Sequence, residues 1–133
     1  MQIVTGIAKT TMILYSIIES PLHPQLDSLY QSQGLNEVRL QSVRKAIQEL
    51  KKQPPDFVVA DFVYGYGNNY AGVNISNLDV FLYSLVKYAP DCRVIVCYEK
   101  ADKQYVDKLE ALFPTIKTLV YPVKEAAILP YLR

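Results

Sequence analysis

The chain has 133 residues, half of them hydrophobic and a fifth of them charged. This length is typical of one domain with a single core and leaves little room for a second domain. The 14 basic and 13 acidic side chains give a formal net charge of +1, so there is no excess of positive charge to hold a polyanion. Composition therefore predicts one globular domain and excludes nucleic acid as a favoured partner.

The cysteines and the apolar N-terminal run bear on location. Cys92 and Cys97 lie in or beside one predicted strand, a spacing that suits neither a disulfide framework nor a zinc site. The apolar run at 12–18 is too short to span a bilayer, so we expect no membrane segment. These features predict a cytoplasmic protein. We divide it into an N-terminal extension at 1–11 and a domain at 12–133.

Short apolar runs alternate with helical patterns along the domain. The runs predict strands at residues 12–18, 37–40, 57–63, 94–98 and 119–121. Apolar spacings of three and four predict helices beginning near residues 22, 43, 78 and 102, and a short last helix at 124–133. The run at 57–63 is nearly continuous, as expected for a central strand that is covered on both faces. This order predicts a doubly wound α/β fold whose functional crevice lies outside the carboxyl ends of the strands.

Residues at those carboxyl ends resemble a known family. The segment from Pro55 through Asp56 to Asp61 resembles the third strand of response-regulator receiver (CheY-like) domains, in which a Pro-Asp pair leads through apolar residues to an aspartate. The similarity continues at 17–21, at 94–96 and at 121–123. It implies the flavodoxin-like receiver topology, a five-stranded parallel sheet with strand order 2-1-3-4-5, and it makes Asp61 the candidate phosphoacceptor.

The resemblance also implies a metal site beside Asp61. Receivers use Mg²⁺ to neutralise charge on the incoming phosphoryl oxygens, and this ion takes about six oxygen ligands. Here Ile18 and Glu19 stand where the family has two acidic residues. The implied ligands are therefore reduced to Glu19, Asp61 and the backbone carbonyl of Val63, with water completing the set.

Two tyrosines replace further parts of the phosphorylation machinery. Tyr98 stands where the fourth strand of receivers ends in a small hydroxyl residue, and Tyr121 stands in place of the lysine that precedes a proline, here Pro122. A neutral phenol cannot replace the lysine cation. We therefore predict an atypical receiver in which phosphorylation of Asp61 is doubtful, and take Tyr98 and Tyr121 as the candidate switch or pocket residues.

The leading functional hypothesis is an atypical stand-alone receiver-like signal-transduction module of a two-component system. It would act through protein–protein interaction, with a histidine kinase or a downstream signalling protein as partner. By resemblance, the last strand and its flanking helices form the homodimer or partner surface. We expect no catalytic activity.

Two alternatives belong to other classes. A small-molecule-binding protein would use a crevice of Glu19, Asp61, Tyr98 and Tyr121, with the Gly-Tyr loop at 64–70 as a lid or a ligand contact. A small enzyme would need Asp61 or Glu19 as acid or base, but no complete nucleophile, cofactor or metal constellation accompanies them.

Two other reactive residue types receive structural interpretations. His23 has no serine or cysteine nucleophile near it in a known catalytic pattern, so we interpret it as structural or exposed. Cys97 falls inside a predicted strand, where cysteine usually behaves as a small buried hydrophobic residue.

Overall fold

The computed structural model describes residues 12–62 and 78–132, which contain one five-stranded sheet. Its strands are β1 (Met12–Ile17), β2 (Leu35–Arg39), β3 (Phe57–Asp61), β4 (Arg93–Tyr98) and β5 (Lys117–Val120). The helices are α1 (Asp27–Ser32), α2 (Val43–Leu50), α3 (Leu78–Tyr88), α4 (Lys103–Leu112) and α5 (Glu125–Ile128). Neighbouring strands are all parallel, in the order β2-β1-β3-β4-β5. The predicted doubly wound fold and its strand order are confirmed.

Two apolar layers cover the sheet, one on each face. Buried side chains of α2, α3 and α4 pack together on one face, and those of α1, α5 and the 3₁₀ turn Leu129–Leu132 pack on the other. The strand β3 lies between β1 and β4, and all five of its residues are buried. A central parallel strand needs apolar side chains on both faces, which explains its continuous hydrophobic run.

The Pro-Asp pair before β3 has a structural role at the amino end of the sheet. The Asp56 carboxylate accepts a hydrogen bond from the Ile13 amide at 2.8 Å, and the Asp56 carbonyl accepts one from the Arg93 amide at 3.0 Å. These bonds tie the start of β3 to both neighbouring strands. The motif is therefore explained here by strand alignment.

The first helix begins later than its apolar spacing predicts. The chain first makes a turn in which the His23 amide donates to the Ser20 carbonyl at 3.3 Å and the Leu22 amide donates to the Ser20 hydroxyl at 3.1 Å. Only then does α1 form, at Asp27. It ends before Gly34, whose φ of 74° lies in the left-handed region that glycine adopts without steric cost. The longer β1–α1 loop carries several backbone amides past the end of β1.

Some predicted features fall beyond what the structure covers. The extension at 1–11, Val63 and the loop at 64–70 lie outside the described residues. Among the described helices, none has the length and apolar character needed to cross a membrane. The predicted last helix is present as α5 followed by a 3₁₀ turn that contains Pro130.

Candidate functional site

Asp61 is the last residue of β3 and lies at the carboxyl edge of the sheet. Its side chain is 1% exposed, an unusual degree of burial for a carboxylate. Burial of this kind requires hydrogen-bond partners, because an unpaired charge in the interior is strongly unfavourable.

Both oxygens of the Asp61 carboxylate have such partners. Oδ2 accepts hydrogen bonds from the backbone amides of Glu19 at 2.9 Å and Ser20 at 2.6 Å, both on the β1–α1 loop. Oδ1 accepts a hydrogen bond from the Tyr121 hydroxyl, which follows β5. The carboxylate thus accepts hydrogen bonds from segments on both sides of β3, the β1–α1 loop and the segment after β5.

His23 extends this arrangement by one further group. Its Nδ1 lies 2.8 Å from the Tyr121 hydroxyl oxygen and 3.9 Å from Oδ1 of Asp61. Because the only hydroxyl proton of Tyr121 points to Asp61, the tyrosine oxygen must accept from His23, which places a proton on Nδ1. A directional chain therefore runs from His23 through Tyr121 to Asp61.

The surroundings fix the protonation of this chain at neutral pH. Burial lowers the pKa of His23, and the nearby Asp61 charge only partly opposes that effect. Burial, together with the hydrogen bond to Asp61, raises the pKa of Tyr121. Near pH 7 the histidine is thus a neutral imidazole and the tyrosine a neutral phenol, consistent with the donor and acceptor assignment.

Cys97 adds a thiol to the same site. It is the register partner of Asp61 on β4, so its side chain points to the same face of the sheet. His23, Asp61 and Cys97 each have one atom that could bind a metal ion, and these three atoms lie within 4.8 Å of one another. Burial raises the pKa of the Cys97 thiol to about 12, so this group is uncharged at neutral pH.

The described side chains do not fit the implied Mg²⁺ site. Magnesium prefers an octahedron of oxygen ligands, whereas the atoms nearest Asp61 include an imidazole nitrogen and a thiol sulfur. Both Asp61 oxygens already accept hydrogen bonds, and Glu19 is an exposed residue. Val63, the third implied ligand, lies outside the described residues.

The structure brings together only part of the set predicted from sequence. Tyr121 contacts Asp61, and Glu19 contributes its backbone amide to the same carboxylate. Tyr98 is 9% exposed and packs on the other face of the sheet, among residues of α2, α3 and α4. Consecutive strand residues point to opposite faces, so Cys97 rather than Tyr98 lies beside Asp61.

Two residues that received structural interpretations from sequence lie at this site. His23 is in the loop whose amides hold Asp61, and Cys97 is in the strand next to it. The signal for Cys97 was its position one residue before the end of an apolar strand, level with Asp61 in a parallel pairing. No comparable local pattern marked His23, whose contact with Tyr121 spans 98 residues of sequence.

Comparison with solved structures identifies the fold. The chain is similar to a response regulator receiver protein from Sinorhizobium medicae WSM419, with a TM-score of 0.67, 18% identity, and coverage of 93% of this chain and 92% of that one. It is also similar to a response regulator from Thermotoga maritima, with a TM-score of 0.65, 16% identity, and coverage of 90% and 92%. No protein-family model and no curated protein matches the sequence.

A third similarity is to a CheY-like protein from Pseudomonas aeruginosa PAO1, with a TM-score of 0.60, 14% identity, and coverage of 92% of this chain and all 100% of that one. The chain thus has the fold of response-regulator receivers over most of its length, as the resemblance implied. Within that fold, the residue before Pro122 is a tyrosine that hydrogen-bonds to Asp61.

Proposed function

We propose that the protein is an atypical receiver-like signalling module that acts by binding another protein. In this proposal its activity requires neither phosphorylation of Asp61 nor Mg²⁺, and the protein catalyses no reaction of its own. It works in the cytoplasm, where its free thiols, Cys92 and Cys97, remain reduced.

The main support for the proposal is that both oxygens of the buried Asp61 carboxylate accept hydrogen bonds from the protein. A phosphoacceptor must present an oxygen to the phosphorus of the donor, and a cation must neutralise the charge that builds up there. Here Oδ2 accepts two amide protons and Oδ1 accepts the Tyr121 proton. The Asp61 side chain is 1% exposed and each of its oxygens accepts a hydrogen bond from a described residue, which restricts the approach of a phosphoryl donor in this conformation.

The same contacts give Asp61 a different role. In this proposal the carboxylate holds the β1–α1 loop and the segment after β5 against the end of β3, which fixes the shape of the surface that these segments form. The role resembles that of a buried polar network, which favours one arrangement of the chain over others.

Intact-mass spectrometry after incubation with acetyl phosphate and Mg²⁺ tests the proposal. A competent receiver labelled in parallel provides the positive control, and Asp61→Asn identifies the modified residue. We expect no phosphoryl mass gain in the wild type. A gain that disappears in Asp61→Asn would restore a phosphorylation switch and contradict the proposal.

The variant Tyr121→Lys sharpens this experiment, since it removes the hydroxyl donor and supplies the cation of the receiver pattern. If the tyrosine is what prevents phosphorylation, the variant gains some labelling that the wild type lacks. If neither protein is labelled, the hydrogen bonds from the β1–α1 loop to Asp61 are sufficient to exclude the phosphoryl donor. Both outcomes keep the wild type independent of phosphorylation.

For the partner surface we propose a homodimer through the last strand and its flanking helices. The strand β5 lies at one edge of the sheet, and Val120 at its end is 45% exposed. Leu112, at the end of α4, is 49% exposed. Exposed apolar side chains beside an unpaired strand edge are typical of surfaces that another chain covers.

Light scattering coupled to gel filtration tests the dimer. We expect Val120→Lys to shift the protein towards monomer. Val86→Lys is the matched control, since Val86 is 55% exposed on α3 and lies outside the proposed interface. Dissociation by Val86→Lys alone would instead assign the interface to α3, and a wild type that is monomeric at all concentrations would exclude the dimer.

A further inference from the structure

Positive charge is concentrated on the outer surface of α2 and α3. The segments 43–52 and 78–88, which contain these helices and the turn after α2, hold five basic and two acidic residues. Because the whole chain has a net charge of only +1, the rest of the chain is net negative. The two acids are Glu49, which is half-buried, and Asp79, which is buried. The five cations are all exposed: Arg44, Lys45, Lys51, Lys52 and Lys87.

Two of these cations lie where they do not favour the fold. Arg44 and Lys45 are in the first turn of α2, which contains no acidic residue. The free backbone amides at a helix N-terminus carry partial positive charge, so cations there lower the stability of the helix. The three lysines lie at or after the C-terminal ends of the helices, where the same dipole attracts them. Helix stability thus explains the lysines at the C-terminal ends but not Arg44 and Lys45, which indicates that this pair serves binding.

The five cations also have no ionic partner among the described residues. Exposed cations elsewhere in the fold are paired, since Lys103 on α4 lies 3.0 Å from Asp107 and Arg39 lies 2.5 Å from Asp27. A paired cation presents little net charge to a partner, whereas a group of unpaired cations attracts acidic surfaces. The α2–α3 surface is therefore complementary to an acidic partner.

An exposed apolar stripe runs along α3 beside these cations. Val80, Tyr83 and Val86 are spaced three residues apart and are between 41% and 55% exposed, so they share the outward side of the helix. The helix α2 packs directly against α3, which places the α2 cations along one side of the stripe. Towards α4, the Tyr83 ring packs edge-to-face on Phe113 with a centroid distance of 4.8 Å. An apolar stripe bordered by charged residues is typical of a surface that binds protein.

We propose that the α2–α3 surface binds an acidic amphipathic helix of a partner protein. The apolar face of that helix covers Val80, Tyr83 and Val86, and its carboxylates lie against the cations of α2 and Lys87. Complementary charge of this kind speeds encounter and fixes the register of the two helices. The inference rests on the proposed function, in which the protein acts by binding another protein, and it names the class of partner and a surface apart from β5.

Three other occupants fit the surface less well. A second copy related by a two-fold axis would bring the same cations face to face, which is unfavourable. A helix that lies on a membrane typically inserts tryptophan, phenylalanine or leucine, whereas this stripe consists of valine and tyrosine. A nucleic acid would neutralise the cations through its phosphates but leave the apolar stripe uncovered.

Fluorescence anisotropy with a labelled synthetic peptide tests the proposal. The probe has about 15 residues, long enough to form a helix, with leucine on one face and glutamate and glutamine on the other. One control peptide replaces each leucine with glutamine, and another replaces each glutamate with lysine. We expect saturable binding of the probe that weakens as salt is raised, with both controls binding at least about tenfold more weakly.

Variants locate the binding surface. Arg44→Glu and Lys52→Glu should each weaken binding of the probe by roughly threefold to tenfold, as expected when an exposed ion pair becomes a repulsion. Lys124→Glu, exposed at the start of α5 on the opposite face of the sheet, is the matched control. Val86→Asn should weaken binding by a similar factor through loss of apolar contact, whereas Leu22→Asn, at a site of similar exposure, should leave it unchanged.

Arg44→Glu also separates binding from folding. An acid is favoured in the first turn of α2, so this variant should be at least as stable as the wild type in urea denaturation. Weaker binding by a protein of undiminished stability therefore reports on the surface alone.

The proposal is overturned if the probe gives no saturable binding, if the control without leucine binds as well, or if Arg44→Glu and Val86→Asn bind the probe as the wild type does. Saturable binding of phosphatidylserine vesicles or of single-stranded oligothymidylate, without binding of the peptide, would also overturn it. A phosphoryl mass gain at Asp61 would contradict the proposed function and leave the peptide result standing. Failure of the peptide to bind would leave the result at Asp61 unchanged.

Discussion

The two ends of β3 carry aspartates that do similar work in different surroundings. Asp56, before the strand, accepts the Ile13 amide through one carboxylate oxygen, and its residue is half-buried. Asp61, at the end of the strand, accepts two amides through one oxygen and a phenol through the other, and its side chain is almost fully buried. Both connect β3 to segments near β1, and Asp61 is also linked through the Tyr121 hydroxyl to His23.

The difference depends on the residue before Pro122, which is a tyrosine whose hydroxyl donates to Asp61. At the carboxyl end of β3, the backbone amides of Glu19 and Ser20 donate to the Asp61 carboxylate. Tyr121 then supplies a hydrogen bond in place of a positive charge. In the proposed role, Asp61 holds the β1–α1 loop and the segment after β5 against the end of β3, whereas Asp56 aligns the start of the strand.

Replacement of each aspartate by alanine should give the largest contrast. Asp61→Ala leaves two amides and one hydroxyl without their acceptor in a buried site, so we expect a loss of roughly 4 kcal/mol in the free energy of unfolding. Asp56→Ala should cost about half as much or less, because that site is more open to water. Urea denaturation measures both values, and an equal loss would remove the distinction between the two ends. If the alanine variants do not fold, Asp61→Asn and Asp56→Asn provide the same ranking.

Tyr121→Phe tests the second oxygen of Asp61 alone. The phenylalanine keeps the ring packing, and removes the hydroxyl that donates to Asp61 and accepts from His23. A hydrogen bond to a buried charged group contributes about 2 kcal/mol, so we expect a loss of that size. Tyr131→Phe, a partly buried tyrosine in the last 3₁₀ turn, is the control and should change stability little. A loss below about 0.5 kcal/mol for Tyr121→Phe would show that water replaces the hydroxyl at no cost.

The pH dependence of stability tests His23, the first residue of the chain that runs through Tyr121 to Asp61. Burial lowers the pKa of His23 below its ordinary value of 6.5, so the unfolded chain binds the proton more readily than the folded one. The contribution of His23 to stability is therefore full above pH 6.5 and is lost as the pH falls through 6.5 towards its folded pKa. His23→Gln should show a weaker decline over this window in urea denaturations from pH 7.5 to 5. Identical pH profiles for the two proteins would mean that His23 is not held neutral by burial.

The fold could be predicted from the sequence because its signals are local and periodic. The continuous apolar run of β3 and the three-and-four spacing of α2 each follow from burial within one element, and the alternation of strands and helices allows few topologies. Gly34 marked a helix end because its backbone conformation requires it. The family resemblance added the strand order.

The site could be predicted only in part, because its geometry depends on distant contacts. The resemblance located Asp61 and Tyr121. From its side-chain type, Tyr121 was predicted to be a poor substitute for a cation, and its hydrogen bond to Asp61 was not predicted. Tyr98 was misplaced by one strand position, which in a sheet means the opposite face. His23 joins the site through a contact that no local spacing could reveal, and Glu19 joins it through its backbone.

Glu19→Gln gives the smallest expected effect and tests that last point. The structure uses the amide of Glu19 to hold Asp61, and glutamine keeps this amide while it removes the exposed carboxylate. We therefore expect a change within about 0.5 kcal/mol in the free energy of unfolding, as for most surface substitutions. The amide of residue 19 should keep its protection from hydrogen exchange, since its hydrogen bond to Asp61 is unaltered. A stability change that appears only when Mg²⁺ is added would instead make the side chain of Glu19 a metal ligand. In that case the carboxyl end of β3 would bind metal, whereas Asp56 at the other end would only align the strand.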